Sequence, residues 1–337
     1  MNKVATMDAR ARAELFGETA ERKKVADTII EKDFWVCWVL KQLFSAKPFE
    51  ERLLFKGGTS LSKIFHAISR FSEDIDLAVD YVALGFTGDK DPRQEGISKT
   101  KRNAILDEMM GTCQKYIAGE FLEALRKEFT GILGTQETWS LDVRQTDPNV
   151  VEFGYPSGNS KSLDYVAPQV VLELGTHAEF VPHAQFTIRA FAGEEFPEAV
   201  KDRDVSVKAL LSKRTFWEKA TILHAEYHRP EGKPLPDRYS RHYYDVAMMS
   251  EGHIKDEALA DRELLVQVVK HKETFYPSGW VRYDLAKPGS LRLGPAENRR
   301  AALEQDYKKM AVMIFGEPPS FSWILDRLAN LEKEINK

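Results

Sequence analysis

Apolar and polar residues recur along this chain with two different periods, and the period changes in blocks. Across residues 21–45, Val25, Ile29, Phe34, Trp38, Leu40 and Leu43 fall at mixed helical spacing and predict a helix. Residues 52–55 end in a short apolar run that reads as a strand. Gly57 and Gly58 follow, with backbone angles closed to other residues, and Thr59 or Ser60 can cap the next helix. That helix is predicted from Leu61, Ile64, Phe65 and Ile68 at i, i+3, i+4 and i+7. At Asp74 the period drops to two. Ile75, Leu77 and Val79 alternate with Asp74, Asp76 and Ala78, so one strand face is apolar and the other opens with two acids.

Residues 85–96 read as a polar loop. Residues 99–129 read as one long helix or two shorter ones, weakened at Gly111 and Gly119. Strand candidates follow at 138–145, 150–155, 169–174 and 185–191, with turns at Asp147-Pro148-Asn149 and Ser157-Gly158-Asn159. From about Val205 the pattern reads as helical, broken by loops at 229–241 and 276–295 and closed by two C-terminal helices. The predicted class is α+β (α/β-like): a mixed-sheet core with N-terminal helices over 1–204, and a mainly helical lobe over 205–337 that completes a cleft.

Composition narrows the picture only a little. The 337 residues are 43% hydrophobic and 30% charged, as in an ordinary soluble protein. A net charge of −4 gives no global attraction to nucleic acid, so such binding would need local basic patches. Cys37 and Cys113 have no metal-ligand spacing, and Cys37 reads as a buried thiol. No signal-peptide pattern or membrane-length apolar run is present, which leads us to expect a cytoplasmic protein without membrane contact.

The glycine turn and the two acids carry the chemistry. Carboxylates at i and i+2 of a strand lie about 6.6 Å apart and repel by about 2.5 kcal/mol at an effective dielectric near 20. A cation between them relieves that repulsion, and Mg²⁺ favours one or two carboxylates plus substrate phosphates. The helix start at Gly57, Gly58, Thr59 and Ser60 offers N–H groups to the same phosphates. Arg70 and Ser72, just before Asp74, are candidates for phosphate contact. Glu173 is the candidate third carboxylate, because a charge inside Val170-Val171-Leu172-Glu173-Leu174 needs a partner or a metal; an exposed edge position is the alternative. Asp80 is a weaker candidate, and Asp142 and Glu152 read as surface acids.

Two features of the helical half bear on the phosphates. Lys219 flanks a stripe of Phe216, Ala220, Leu223 and Tyr227, where lysine ordinarily snorkels to solvent. Arg241 and Asp245 are i, i+4 and read as an intrahelical ion pair. Other chemistries drop out: His224 and His228 lack the zinc-protease glutamate position, and no P-loop, Gly-x-Gly-x-x-Gly or Gly-x-Ser-x-Gly occurs.

Taken together, Lys56-Gly57-Gly58-Thr59-Ser60-Leu61 and Arg70-Phe71-Ser72-Glu73-Asp74-Ile75-Asp76-Leu77 resemble the motifs of the AbiEii toxin family of nucleotidyltransferases. Ile30-Glu31-Lys32-Asp33-Phe34-Trp35, Arg214-Thr215-Phe216-Trp217-Glu218-Lys219 and Arg241-His242-Tyr243-Tyr244-Asp245 agree in order, as do segments 278–283 and 289–293. The resemblance implies a DNA polymerase beta-like nucleotidyltransferase core with an appended helical lobe. It also implies a toxin of a bacterial toxin–antitoxin or phage-defence system, paired with a cognate antitoxin. Its chemistry would be transfer of a nucleoside monophosphate from an NTP, with Mg²⁺ or Mn²⁺ on Asp74 and Asp76. Lys56 would join the nucleotide site, Lys219 would handle the nucleotide, and Asp245 would take part in catalysis. Asp76, Glu173 or Asp245 could accept the acceptor's proton. The tRNA 3′ end is the implied acceptor, with Arg282, Arg292, Arg299, Arg300, Trp280 and Tyr283 as candidate RNA contacts. AMP transfer to protein hydroxyls, or nucleotide binding with little turnover, are the alternatives. The gap between Gly58 and Asp74 is longer than in minimal nucleotidyltransferases, and an additional helical turn is expected to absorb it.

Overall fold

The computed structural model describes residues 1–135, 137–157 and 167–337; the turn expected at Gly158-Asn159 lies outside them. The chain divides into two compact units, Met1–Ile64 with Ser72–Ala209, and Phe65–Phe71 with Leu210–Lys337.

The first unit is built on a mixed sheet of β1 (Leu53–Lys56), β2 (Asp74–Val79), β3 (Ser140–Val143), β4 (Val150–Gly154), β5 (Gln169–Gly175), β6 (His183–Ile188) and β7 (Val205–Leu210). The strand order is β3-β4-β5-β2-β1-β7-β6. β2 runs antiparallel to β1 and parallel to β5, and β1 runs parallel to β7. Its helices are α1 (Asn2–Ala5), α2 (Ala9–Lys23), α3 (Asp27–Ser45), α4 (Lys47–Glu50), α5 (Gly57–Lys63), α6 (Lys99–Tyr116), α7 (Leu122–Leu133) and α8 (Phe191–Glu195). Trp35 and Trp38 of α3 lie 5.8 Å from Phe153 of β4, and Phe129 of α7 packs on the same ring at 4.7 Å. These rings bury α3 against the sheet. Cys37 and Cys113 are free and buried.

The second unit holds α9 (Ser212–Tyr227), α10 (Ser240–Met249), α11 (His253–Ala260), α12 (Arg262–Phe275), α13 (Arg300–Met310) and α14 (Phe321–Ile335). Its long loop is pinned to the helices. Buried His224 meets the Arg282 carbonyl through Nε2 at 3.0 Å and accepts the Arg292 N–H through Nδ1 at 3.1 Å. Among the described residues, no helix is long and apolar enough to cross a membrane.

Three expectations need correction. The helix expected over 21–45 is two helices, separated where Lys24 turns left-handed at φ 56°. The change to helix expected at Val205 comes later, because Val205, Val207 and Ala209 are buried in β7 while Ser206 is exposed. Six residues of period two, directly before a helical pattern, are easily absorbed into it. Over 99–129 the expected alternative of two shorter helices holds, with the weak point a π-helical turn, Ile117–Phe121, containing Gly119.

The third correction matters most for the site. α5 stops at Lys63, so Ile64, Phe65 and Ile68 are not on a helix. His66 is left-handed at φ 49°, and Phe65–Phe71 belongs to the second unit. There Arg70 bridges Ile314, and the Phe71 N–H donates to Met313 at 2.7 Å. Ile68 is buried as predicted, but not on a helix. The length between Gly58 and Asp74 is taken up by this extended excursion and not by an extra helical turn.

Candidate active site

β1 delivers the chain into Gly57, which adopts φ +82°. A Cβ on Gly57 would overlap the Asp76 carboxylate and come within 2.8 Å of the Asp76 Cβ. Glycine is therefore required twice, by conformation and by the close approach of Asp76. The register explains that approach: Lys56 pairs with Asp76 across the β1–β2 ladder, placing Lys56 beside the acid on one face. In the parallel ladder to β5, Asp76 pairs with Glu173 and Asp74 with Val171. Asp74, Asp76 and Glu173 thus share one face, over the small pair Ala78 and Gly175. The other face carries buried Ile75 and Leu77.

Asp74 and Asp76 are half-buried, and Glu173 is exposed. Among the described residues, no three His, Cys, Asp or Glu side chains converge closely enough to hold a metal ion by themselves. Two carboxylates nonetheless suit a hard cation that completes its shell with phosphate and water. The close approach of Gly57 and Asp76 places the glycine turn against one of those carboxylates, so the residues fit the group.

The hydroxyls next to the turn serve the backbone. Thr59 starts no cap, because α5 begins at Gly57 with Lys56 in the capping position. Its buried Oγ1 donates instead to the backbone oxygens of Asp74 at 2.5 Å and Ser72 at 3.1 Å. Ser60 is fully buried and donates to the Gly57 carbonyl at 2.9 Å. Both were expected to face phosphate, but burial turns them inward to shape the turn. Gly58 is buried in the first turn of α5, whose N–H groups have no partner within the helix itself. Asp80 holds the turn after β2 by accepting the Val82 N–H at 2.9 Å.

The second unit assembles a different set. Asp245 is 0% exposed and accepts two bonds from Arg70, Nε at 2.8 Å and Nη2 at 2.9 Å. Lys219 Nζ reaches Asp245 Oδ2 at 2.9 Å and His242 Nδ1 at 3.4 Å. Burial alone would raise the Asp245 carboxyl, but Arg70 and then Lys219 outweigh it and hold it well below the usual carboxylate range. Burial lowers the Lys219 ammonium against the pull of Asp245. The same burial, with Lys219 and Arg241, pushes the His242 imidazole well below its ordinary value.

This arrangement changes three expectations. Asp245 pairs with Arg70 and Lys219 and not with Arg241. Arg70 spends its fork on Asp245 and so does not present it to a phosphate. Asp245, enclosed and doubly bound, is a poor proton acceptor. Only the chain excursion through Phe65–Phe71 brings Arg70 to this carboxylate, and nothing local in the sequence signals it.

The basic residues of the late loops also have internal partners. Arg282 bonds Asp284 at 2.8 Å, Arg292 pairs with Glu332 at 3.2 Å, and Arg300 with Glu297 at 3.8 Å. Arg299 donates to the carbonyls of Pro230 and Lys233, each at 2.7 Å, while Trp280 stacks under Arg229 at 5.0 Å. Tyr283 is half-buried. The loops are built around these groups.

The sequence string at 30–35 contributes charges whose purpose the sequence did not reveal. On α3, Lys32 pairs with Glu73 and Asp33 with Lys63, both deeply buried. A run of charge inside an otherwise apolar helix was the available signal.

No curated protein matches the chain. Among solved structures it is similar to MenT4, a nucleotidyltransferase toxin from Mycobacterium tuberculosis, at 15% identity and a TM-score of 0.46, over 96% of this chain and 99% of that one. Residues 38–327 match the model of the family described as nucleotidyl transferase AbiEii toxin, type IV toxin–antitoxin system. With the motifs ordered along a mixed sheet and the match spanning most of the sequence, the chain belongs to the AbiEii family of nucleotidyltransferase toxins.

Proposed function

We propose that this protein transfers a nucleoside monophosphate from an NTP to the 3′ end of a tRNA, releasing pyrophosphate and arresting growth until a cognate antitoxin restrains it. The observation that carries this reading is the contact of Gly57 with Asp76, which joins a phosphate-binding turn to a carboxylate pair. Asp74 and Asp76 would hold Mg²⁺ or Mn²⁺, which polarises the α-phosphate and screens the leaving pyrophosphate when bound. Gly57 and Gly58 present backbone N–H groups to the β- and γ-phosphates, with Lys56 beside them. Glu173, exposed next to Asp76, accepts the proton of the attacking hydroxyl. Lys219 neutralises charge that develops in transfer, and Asp245 orients it together with Arg70. Ser72 contributes to the same nucleotide site. Action on bacterial RNA places the protein in the cytoplasm, and growth arrest suits a role in phage defence.

The test incubates the protein with each α-labelled NTP, Mg²⁺, total RNA and lysate protein. Label in tRNA supports the proposal. Label confined to protein replaces it with AMP-type transfer to protein hydroxyls, and absence of label with every nucleotide favours a binding regulator.

A further inference from the structure

Two neighbouring residues of α3 grip both ends of the segment that leaves the first unit. Residues 32 and 33 point about 100° apart around a helix, so they can reach different elements. Lys32, 2% exposed, binds the carboxylate of Glu73 at 2.5 Å, and Glu73 immediately precedes Asp74. The same ammonium donates to the Ala167 carbonyl at 3.3 Å, just ahead of β5 and Glu173. Asp33 binds Lys63, the last residue of α5, at 2.6 Å, and its other oxygen accepts the Phe191 N–H at 2.7 Å. α3 is itself locked by Trp35 and Trp38 against β4.

The need for such a grip follows from the chain path. α5 and β2 are not joined by a tight turn, because Phe65–Phe71 belongs to the second unit. The glycine turn and the paired acids must still be held in register within about 0.5 Å to share a ligand. A buried ion pair adds little net stability over apolar packing of the same volume. What it adds is direction.

We infer that Lys32 and Asp33 are positioning residues that set the metal-binding carboxylates against the glycine turn, Lys32 through Glu73 and Ala167, Asp33 through Lys63. The inference rests on the reading of Asp74 and Asp76 as metal ligands. Outer partners of metal ligands typically change affinity by about 10–100-fold when removed.

The experiment measures Mn²⁺ binding by electron paramagnetic resonance on the full chain, with near-ultraviolet circular dichroism reporting the fold. Lys32→Met is expected to weaken Mn²⁺ binding by about tenfold or more. The double variant Lys32→Met/Glu73→Leu removes both charges of the pair; it should regain thermal stability but not Mn²⁺ affinity. Lys32→Arg, which keeps the charge, should bind Mn²⁺ nearly as wild type. A folded double variant with unchanged Mn²⁺ affinity overturns the inference and leaves the pair a packing feature. Asp76→Asn is the control: wild-type Mn²⁺ binding there sinks the metal reading itself, a separate outcome from failure of the grip.

Discussion

The carboxylates of the two units show how one side chain acquires opposite uses. Asp74 and Asp76 sit half-buried on a strand face, beside exposed Glu173 and a turn that excludes any side chain at Gly57. Asp245 sits on a helix, wholly enclosed, with both oxygens bound by Arg70 and Lys219. The first set remains partly or fully open to solvent. In the second set the protein supplies the cations itself, and the carboxylate is left to orient them. What separates the two sets is how far each carboxylate is enclosed and by which partners.

Substitutions can break this contrast. Asp76→Asn should lower transfer by about 10³-fold or more, since metal stabilisation is worth several kcal/mol at 1.36 kcal/mol per tenfold. The melting temperature should stay near wild type. A labelling assay paired with a thermal melt checks both, and a variant that still labels its acceptor would move the metal elsewhere. Asp245→Ala should do the reverse at first, destabilising the second unit by about 3–5 kcal/mol because two buried cations lose their partner. Urea unfolding measures it, and a loss confined to activity would make Asp245 a catalytic group after all.

Gly57→Ala should combine both effects on a smaller scale. Its left-handed backbone and the overlap with Asp76 should cost about 1–3 kcal/mol, read by the same unfolding assay, and transfer should fall with it. The pH dependence sharpens the contrast last. His242 and His224 are buried with lowered pKa values, so the unfolded chain binds more protons as pH drops below their ordinary 6.5. Stability should be full well above that value and decline as pH falls through it toward the lowered folded values. Asp245, also lowered, adds a further loss only as pH falls below the ordinary carboxylate range. His242→Asn should flatten the first part of the melting profile, and an unchanged profile would mean that His242 is not held neutral.

Much of the first unit was readable along the chain. β2 announced itself by alternation, β3 and β4 fell within the runs marked by period and turn residues, and β5 and β6 overlapped theirs, because a sheet with one buried face writes its register into every second position. The Gly57–Asp76 pairing was readable as a motif though not as a contact. α5 is shorter than its pattern predicts: Ile64, Phe65 and Ile68 carry helical spacing by position, yet the helix ends at Lys63 and the segment beyond it pairs through Ser69 and Phe71 with Phe315 and Met313. β7 was missed because its short alternation runs into a helix.

The residue pattern along the chain was enough to specify the turn and the acidic strand face, because those depend on spacing within a few residues. Only the folded molecule decided that Arg70 serves Asp245, that Thr59 and Ser60 face the backbone, and that Lys32 and Asp33 grip the ends of an excursion. Those pairings join residues far apart in sequence, and a buried charge takes its partner from three-dimensional proximity, which no local period records.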